Sequence, residues 1–221
     1  MKQQENRPST ILAIETAVGS GSISIVQDGI ETRAIDGGMS RAEAVLVGIR
    51  KVLADCELTL REIDIIATSL GPGSFTGIRI GLATGLGLKR TLSVKLVGVN
   101  ALEAMSLLLS NEPGVVVLPL GRGNYALQEF DLVSNPISGP SAVDEDGLIR
   151  FLGTRSNDRF IFHQDIDVPA AERLPRQDFV VSTEPLATLI GRWVFAGRGT
   201  EDGKPIYLRN REIAATDQRS P

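Results

Sequence analysis

The sequence predicts an α/β protein of two similar lobes, and three observations predict it. Three short strand-like segments follow one another through hairpin turns, then the pattern switches to helical spacing, and a further strand and helix complete a β-β-β-α-β-α order. After Pro113-Gly114 the cycle starts again in a degraded form. A chain of 221 residues, 42% hydrophobic and 23% charged, suits one large domain or two closely packed lobes with real apolar cores. The expected division is a first lobe over 10–110 and a second over 111–200, with an extended piece at 205–210 returning to the first and polar tails at 1–9 and 212–221.

Each element has a local reason. Thr10 to Ile14 is a short apolar run, and Ser22 to Val26 (SISIV) alternates with the period of a half-buried strand. Asp28-Gly29 is a hairpin signal, so Ile30 to Ile35 returns as a third strand. From Ala42 to Leu53 the residues Val45, Leu46, Ile49, Val52 and Leu53 fall on one helical face. Thr59 and Glu62 have capping-box spacing for a short turn, and Ile63 to Leu70 reads as a buried strand that stops at Gly71-Pro72-Gly73. A helix is expected over Ser74 to Leu92, a strand over Leu96 to Val99, and a helix over Ala101 to Leu109 capped by Asn100. In the second half, Val115 to Leu118 and Tyr125 to Val133 read as strands around the turn Gly121-Arg122-Gly123-Asn124. Ser141 is placed to cap a helix, Arg159 to Phe162 to form a strand, Pro185 to Ala196 a helix, and Pro205 to Leu208 a last extended piece. Three hairpin-joined strands, a helix, a strand and a helix make up the ribonuclease-H-like lobe, which actin-like ATPases and sugar-kinase-like proteins use twice.

Composition excludes several classes of chemistry. The one cysteine, Cys56, rules out an internal disulfide framework and points to a reducing cytoplasm. With His163 alone there is no His-rich metal site, so no metal is expected, and a Cys56–His163 dyad needs the fold to bring the two together. A net charge of −4 argues against a surface that grips nucleic acid by itself, although Arg209-Asn210-Arg211 is a small basic patch after Tyr207. The polar start lacks the apolar stretch of a signal peptide, and no apolar run is long enough for a membrane span. Trp193 and Phe195 read as core rather than as a stacking platform.

Three segments remain as candidates. The turn Gly71, Pro72, Gly73, Ser74, Phe75, Thr76 lies between a strand and a helix; it either presents backbone N–H groups to an anion or is a tight turn with Ser74 as the helix cap. No Lys-Ser/Thr pair follows, so it is not a P-loop. Gly77, Gly81 and Gly85 then recur every four residues, at a cost of ~1 kcal/mol each relative to alanine. Such a flat stripe packs either on the protein's own sheet or on another helix; in the second case Leu at Gly81 and Gly85 blocks association and leaves the monomer folded. Finally, Glu15 and Thr16 open the first hairpin, where actin-like ATPases carry an Asp and small residues against phosphate and magnesium. Glu15 is one methylene longer and would displace its carboxylate from an octahedral metal site, which favours a plain structural hairpin.

On GPGSFTGIRIG (Gly71 to Gly81), ILAIET (Ile11 to Thr16), VGVNALEAMS (Val97 to Ser106) and the ending PIYLRN (Pro205 to Asn210), the chain resembles the TsaB (YeaZ) family of bacterial tRNA threonylcarbamoyladenosine biosynthesis subunits, once labelled glycoprotease-like. The resemblance is strong over about residues 10 to 110, thin to 200, and returns at the end. It implies two actin-like lobes and a part in attaching a threonylcarbamoyl group to the adenosine following the anticodon of tRNA. It also implies a non-catalytic scaffold that binds the TsaD transferase subunit, is joined by the small ATPase TsaE, homodimerises when alone, and touches tRNA indirectly or weakly. No cofactor of its own is implied, with ATP entering at the level of the complex. The interface implied is the glycine-striped helix with Gly77, Gly81 and Gly85, together with the helix carrying Val45 and Ile49.

The chain departs from the family pattern at Glu15 in place of Asp, at Arg41 in place of a common His, and at Leu120-Gly121-Arg122 in place of Asp-Ala-Arg. The paired metal histidines of the catalytic relative cannot exist with one His in the chain. The competing function is an independent actin-fold small-molecule kinase or ATPase using Glu15. The protease label lacks both metal ligands and a legible Ser-His-Asp arrangement.

Overall fold

The computed structural model describes residues 9–39, 41–155, 158–166, 178–201 and 203–208. Strands β1 (Thr10–Glu15), β2 (Ser22–Gln27) and β3 (Ile30–Asp36) form an antiparallel meander, and helix α1 (Ala42–Asp55) then crosses to β4 (Ile65–Ser69). Helix α2 (Phe75–Leu92) leads to β5 (Lys95–Val99), and α3 (Ala101–Met105) closes the half. The second half runs β6 (Gly114–Gly121), β7 (Asn124–Phe130), β8 (Ser141–Asp144), α4 (Glu145–Gly153), β9 (Arg159–His163), β10 (Asp178–Ser182) and α5 (Leu186–Phe195). The sheet orders are β3-β2-β1-β4-β5 and β10-β9-β6-β7-β8, the same topology twice, with β1 parallel to β4 and β6 parallel to β9.

The strand plan of the second lobe is therefore complete rather than degraded. What the periodicity missed are its short elements. Ser141 opens the edge strand β8 instead of capping a helix, and Asp144 is the cap, accepting from Gly147 N at 2.8 Å. The strand expected to reach Val133 ends at Phe130, and the helix expected to reach Leu109 tightens to a 3-10 turn after Met105. Residues 205–208 form no strand, but Ile206 N donates to Leu70 O at 2.7 Å, so this piece does return to the first lobe. Residues 1–8, Arg209-Asn210-Arg211 and the rest of the tail lie outside the described residues.

The elements stack in layers: α1 and α2, the first sheet, α3 and α5, the second sheet, and α4. One core cluster joins Leu12, Ile14, Ile23 and Ile25 to α1 and α2, and a second fills the space between the sheets around α3 and α5. A third seats α4 on β6, β7 and β9. The alternation in β2 has a different meaning from that of a solvated strand, because both faces are buried. Ile23 and Ile25 face the outer core, while the Ser22 hydroxyl accepts from Ala187 N at 3.0 Å and Ser24 Oγ lies 3.1 Å from Thr188 Oγ1. These serines dock the N-terminus of α5, so that helix belongs with the first sheet and the boundary at 200 does not mark where the second lobe ends. Trp193 is core as expected, whereas Phe195 is largely exposed.

The glycine stripe of α2 lies on the protein's own sheet. A Cβ at Gly77 would stand 1.9 Å from Thr16 O, one at Gly81 2.7 Å from Thr16 Oγ1, and one at Gly85 2.9 Å from Leu96 Cδ1. The interface assignment of Gly77, Gly81 and Gly85 is thus corrected, as is that of Val45 and Ile49, which are buried in the outer core. A leucine at Gly81 would break the lobe instead of sparing the monomer. Gly87, by contrast, is exposed with nothing within 4 Å of a Cβ. We predict that Gly77→Ala lowers unfolding free energy by about 3 kcal/mol or more through overpacking against backbone. Gly87→Ala should raise it by up to about 1 kcal/mol, since only helix propensity changes. Urea denaturation of both variants checks the pair, and equal effects would contradict this packing.

Candidate functional site

The β1–β2 hairpin, a candidate phosphate site by sequence, is occupied by its own acid. Glu15 is fully buried, and its Oε1 accepts from Ala17 N at 2.5 Å and Val18 N at 2.9 Å. Burial, the largest influence, pushes its pKa up to about 8; the two N–H groups oppose that, and Asp36 and Asp165 add to it. Thr16 turns the other way, donating its hydroxyl to Gly77 O at 2.7 Å. The glycine-rich turn follows its structural alternative: Ser74 Oγ accepts from Gly77 N at 3.2 Å as the cap of α2, and Ser74 N donates to Ala17 O at 2.7 Å.

Between the lobes the hairpin faces the end of β9. Asp36, Gly37, His163, Gln164 and Asp165 join Glu15 around a small polar pocket of about 130 Å³. Gln164 Nε2 donates to Asp36 Oδ2 at 2.6 Å across the lobes. The Asp165 carboxylate lies in the hollow over Gly19, with Oδ2 1.6 Å from where a Cβ would stand. His163 accepts from Asp165 N at 3.2 Å through Nδ1, and burial pulls its pKa down against the opposing pull of Asp165 and Asp36. The Asp36 and Asp165 carboxylates beside the hairpin repel a polyphosphate. Among the described residues no group of three or more His, Cys, Asp or Glu has the geometry to hold a metal ion. Cys56 sits at the end of α1 against the outer core, apart from His163, so no dyad forms. The pocket was not legible locally, because its two halves are more than a hundred residues apart in the chain.

A second feature lies on the outer helices. Leu46 (51% exposed), Val47 (64%), Phe75 (56%) and Leu86 (50%) are apolar and uncovered. Ala42 of α1 and Phe75, Arg79, Ile80 and Ala83 of α2 line a groove of about 390 Å³ between the helices. Leu46 follows Ala42 by one turn and Leu86 follows Ala83 by three residues, so both extend the groove's apolar rim. Sequence periodicity placed Leu46 in the core; the structure places it beside the core, on the surplus of an apolar arc too wide for one sheet. The signal was the run Val45-Leu46-Val47, of which the sheet covers only the first.

With this geometry in view, comparison with known proteins is informative. A family model described as TsaD, tRNA N6-adenosine threonylcarbamoyltransferase, matches residues 39–136, the span from α1 to β7. The Escherichia coli protein named tRNA threonylcarbamoyladenosine biosynthesis protein TsaB is 31% identical over 97 residues, 43% of this chain and 42% of its own. The TsaB protein of Haemophilus influenzae is 30% identical over 98 residues, 44% of this chain and 42% of its own. The resemblance to the TsaB (YeaZ) family is borne out. An uncharacterized protein of Mycobacterium leprae is 26% identical over 223 residues, 95% of this chain and 62% of its own. The matches thus span about two fifths of the TsaB proteins and less than two thirds of the mycobacterial one. YeaZ from Pseudomonas aeruginosa superposes with a TM-score of 0.67 at 20% identity, covering 90% of this chain and all of its own. An uncharacterized protein with similarity to peptidase YeaZ gives 0.69 at 21%, with 91% of this chain covered. These two likenesses establish that the chain has the two-lobed fold of the YeaZ structures.

The raised pKa of Glu15 has a consequence for stability. The folded chain holds a proton on Glu15 between about pH 4.5 and about pH 8, whereas the unfolded chain does not. The folded state binds more protons there, so this group's contribution is full below that window and is lost as pH rises through it. Glu15→Gln keeps the acceptor and removes the titration. Its melting temperature should therefore gain on the parent chain by several degrees between about pH 5 and about pH 9. Scanning fluorimetry across that range measures this, and a pH-independent difference between the two proteins would contradict it.

Proposed function

We propose that the chain acts in the biosynthesis of threonylcarbamoyladenosine in tRNA as a non-catalytic subunit that binds a TsaD-like transferase through the outer face of α1 and α2. The observation that carries this reading is the uncovered apolar groove between those helices, flanked by Leu46 and Leu86. Soluble proteins rarely leave such a patch open without a partner. The TsaD family model matches a span that contains α1 and α2, so a transferase of that family would carry a similar helix pair, and like faces can pair about a two-fold axis. The same face would serve a homodimer when the chain is alone. A TsaE-like ATPase would join the assembly, and ATP would act there rather than at the hairpin, whose N–H groups already bind Glu15. Among the described residues no helix is long and apolar enough to cross a membrane, in keeping with the work of a cytoplasmic subunit.

Reconstitution with the cognate TsaD- and TsaE-like proteins tests this directly. Adding the chain should raise tRNA modification well above the level reached without it. The double variant Leu46→Glu/Leu86→Glu should weaken association at least about tenfold, the loss expected from charging a buried interface core, with an unchanged melting curve. The isolated chain should show no magnesium-dependent ATP binding in calorimetry. ATP turnover lost in Glu15→Gln would instead favour the independent kinase or ATPase.

A further inference from the structure

Beside the docking groove, and sharing Phe75 and Thr76 with it, lies a larger cleft. It has a volume of about 550 Å³ and runs between the glycine-rich turn and the β6–β7 hairpin. That volume is of the size that holds one small-molecule ligand. Phe75 and Tyr207, both largely exposed, stand with ring centroids 5.0 Å apart at 39°. The Arg79 guanidinium lies 5.2 Å over the Phe75 ring. Arg122 is carried on the tip of the hairpin opposite, at a φ of 55°. Neither arginine is ion-paired among the described residues, and no described residue lining the cleft or the adjoining groove is acidic. In a chain with 27 acidic and 23 basic residues, that is a local reversal of charge.

We infer that this cleft binds one unstacked nucleotide of a single-stranded nucleic acid. The base enters the cleft against Phe75 and its neighbour Tyr207, and a flanking phosphate meets Arg122 on the opposite wall. Exposed aromatic rings interleaved with unpaired arginines have this use because every base offers a π-face and every nucleotide a charge. The chain's net negative charge keeps such binding weak and local, in contrast to a broad electrostatic footprint. The inference does not require the partner, since the cleft is formed by this chain alone.

The test is fluorescence anisotropy of a short labelled oligoadenylate with the full chain at low and at physiological salt. Binding should be measurable at low salt and weaken as salt rises. Tyr207→Ala should weaken it by about fivefold or more, as expected for losing a stacking surface. Arg122→Asn, a residue that accepts the left-handed backbone, should weaken it and reduce the log–log salt slope by about one. Both side chains are peripheral, so matching melting curves would separate these losses from unfolding. No binding at low salt, or variants that bind like the parent chain, would overturn the inference. Full competition by AMP at equal nucleotide concentration would overturn it too, in favour of a free mononucleotide.

Discussion

The contact between the β1–β2 hairpin and the glycine face of α2 holds the first lobe in its working shape. Thr16 and Ala17 press their carbonyls and the Thr16 hydroxyl against Gly73, Gly77 and Gly81, at distances that no side chain could share. Ser74 N donates to Ala17 O and Thr16 Oγ1 to Gly77 O, so the approach is also hydrogen-bonded. Each glycine weakens the helix by itself, by roughly 1 kcal/mol, and close packing of two backbones offsets that cost. Because α2 is drawn down onto the sheet by this face, its opposite face is turned outward beside α1. The groove and its apolar rim are the reverse side of the glycine stripe.

Under the proposed reading, the same hairpin is what would separate this chain from an ATPase. A phosphate needs free N–H donors and positive surroundings, whereas Ala17 N and Val18 N are committed to Glu15 and the neighbouring second-lobe residue is Asp165. Glu15 keeps a proton at neutral pH because it is buried, and near two other carboxylates, in a polar seam between the lobes. The Asp36–Gln164 hydrogen bond crosses that seam. What the molecule exposes is instead a helix pair and, beyond Phe75, a cleft with Arg122 on its far wall.

Much of the fold was legible because local patterns match what each strand and helix does. The hairpin at Asp28-Gly29, the caps at Ser74 and Asn100, and the helical spacing from Ala42 all fall where the structure has them. The site was less legible. Four-residue glycine spacing says that a face is flat and leaves open what lies against it; only the register of Thr16 on Gly77 decides. The alternation of Ser22, Ile23, Ser24 and Ile25 says that two faces differ, yet the polar face receives α5 from 165 residues away and is not solvated. Asp36 and Asp165 carry no local motif, since the carboxylate cluster exists only after the second sheet closes on the first. Short edge strands such as β8 are set by pairing and not by their own four residues.

The surface that the chain offers its partner is the outer face of the helix pair under the proposed reading. Hydroxyl-radical footprinting of the side chains, with and without the cognate TsaD-like subunit, addresses that most directly. Leu46 and Leu86 on the outer helices should lose reactivity in the complex, while the still more exposed Ile30 on β3 and Ile137 after β7 stay reactive. Protection of Ile30 or Ile137 with Leu46 and Leu86 unchanged would contradict it.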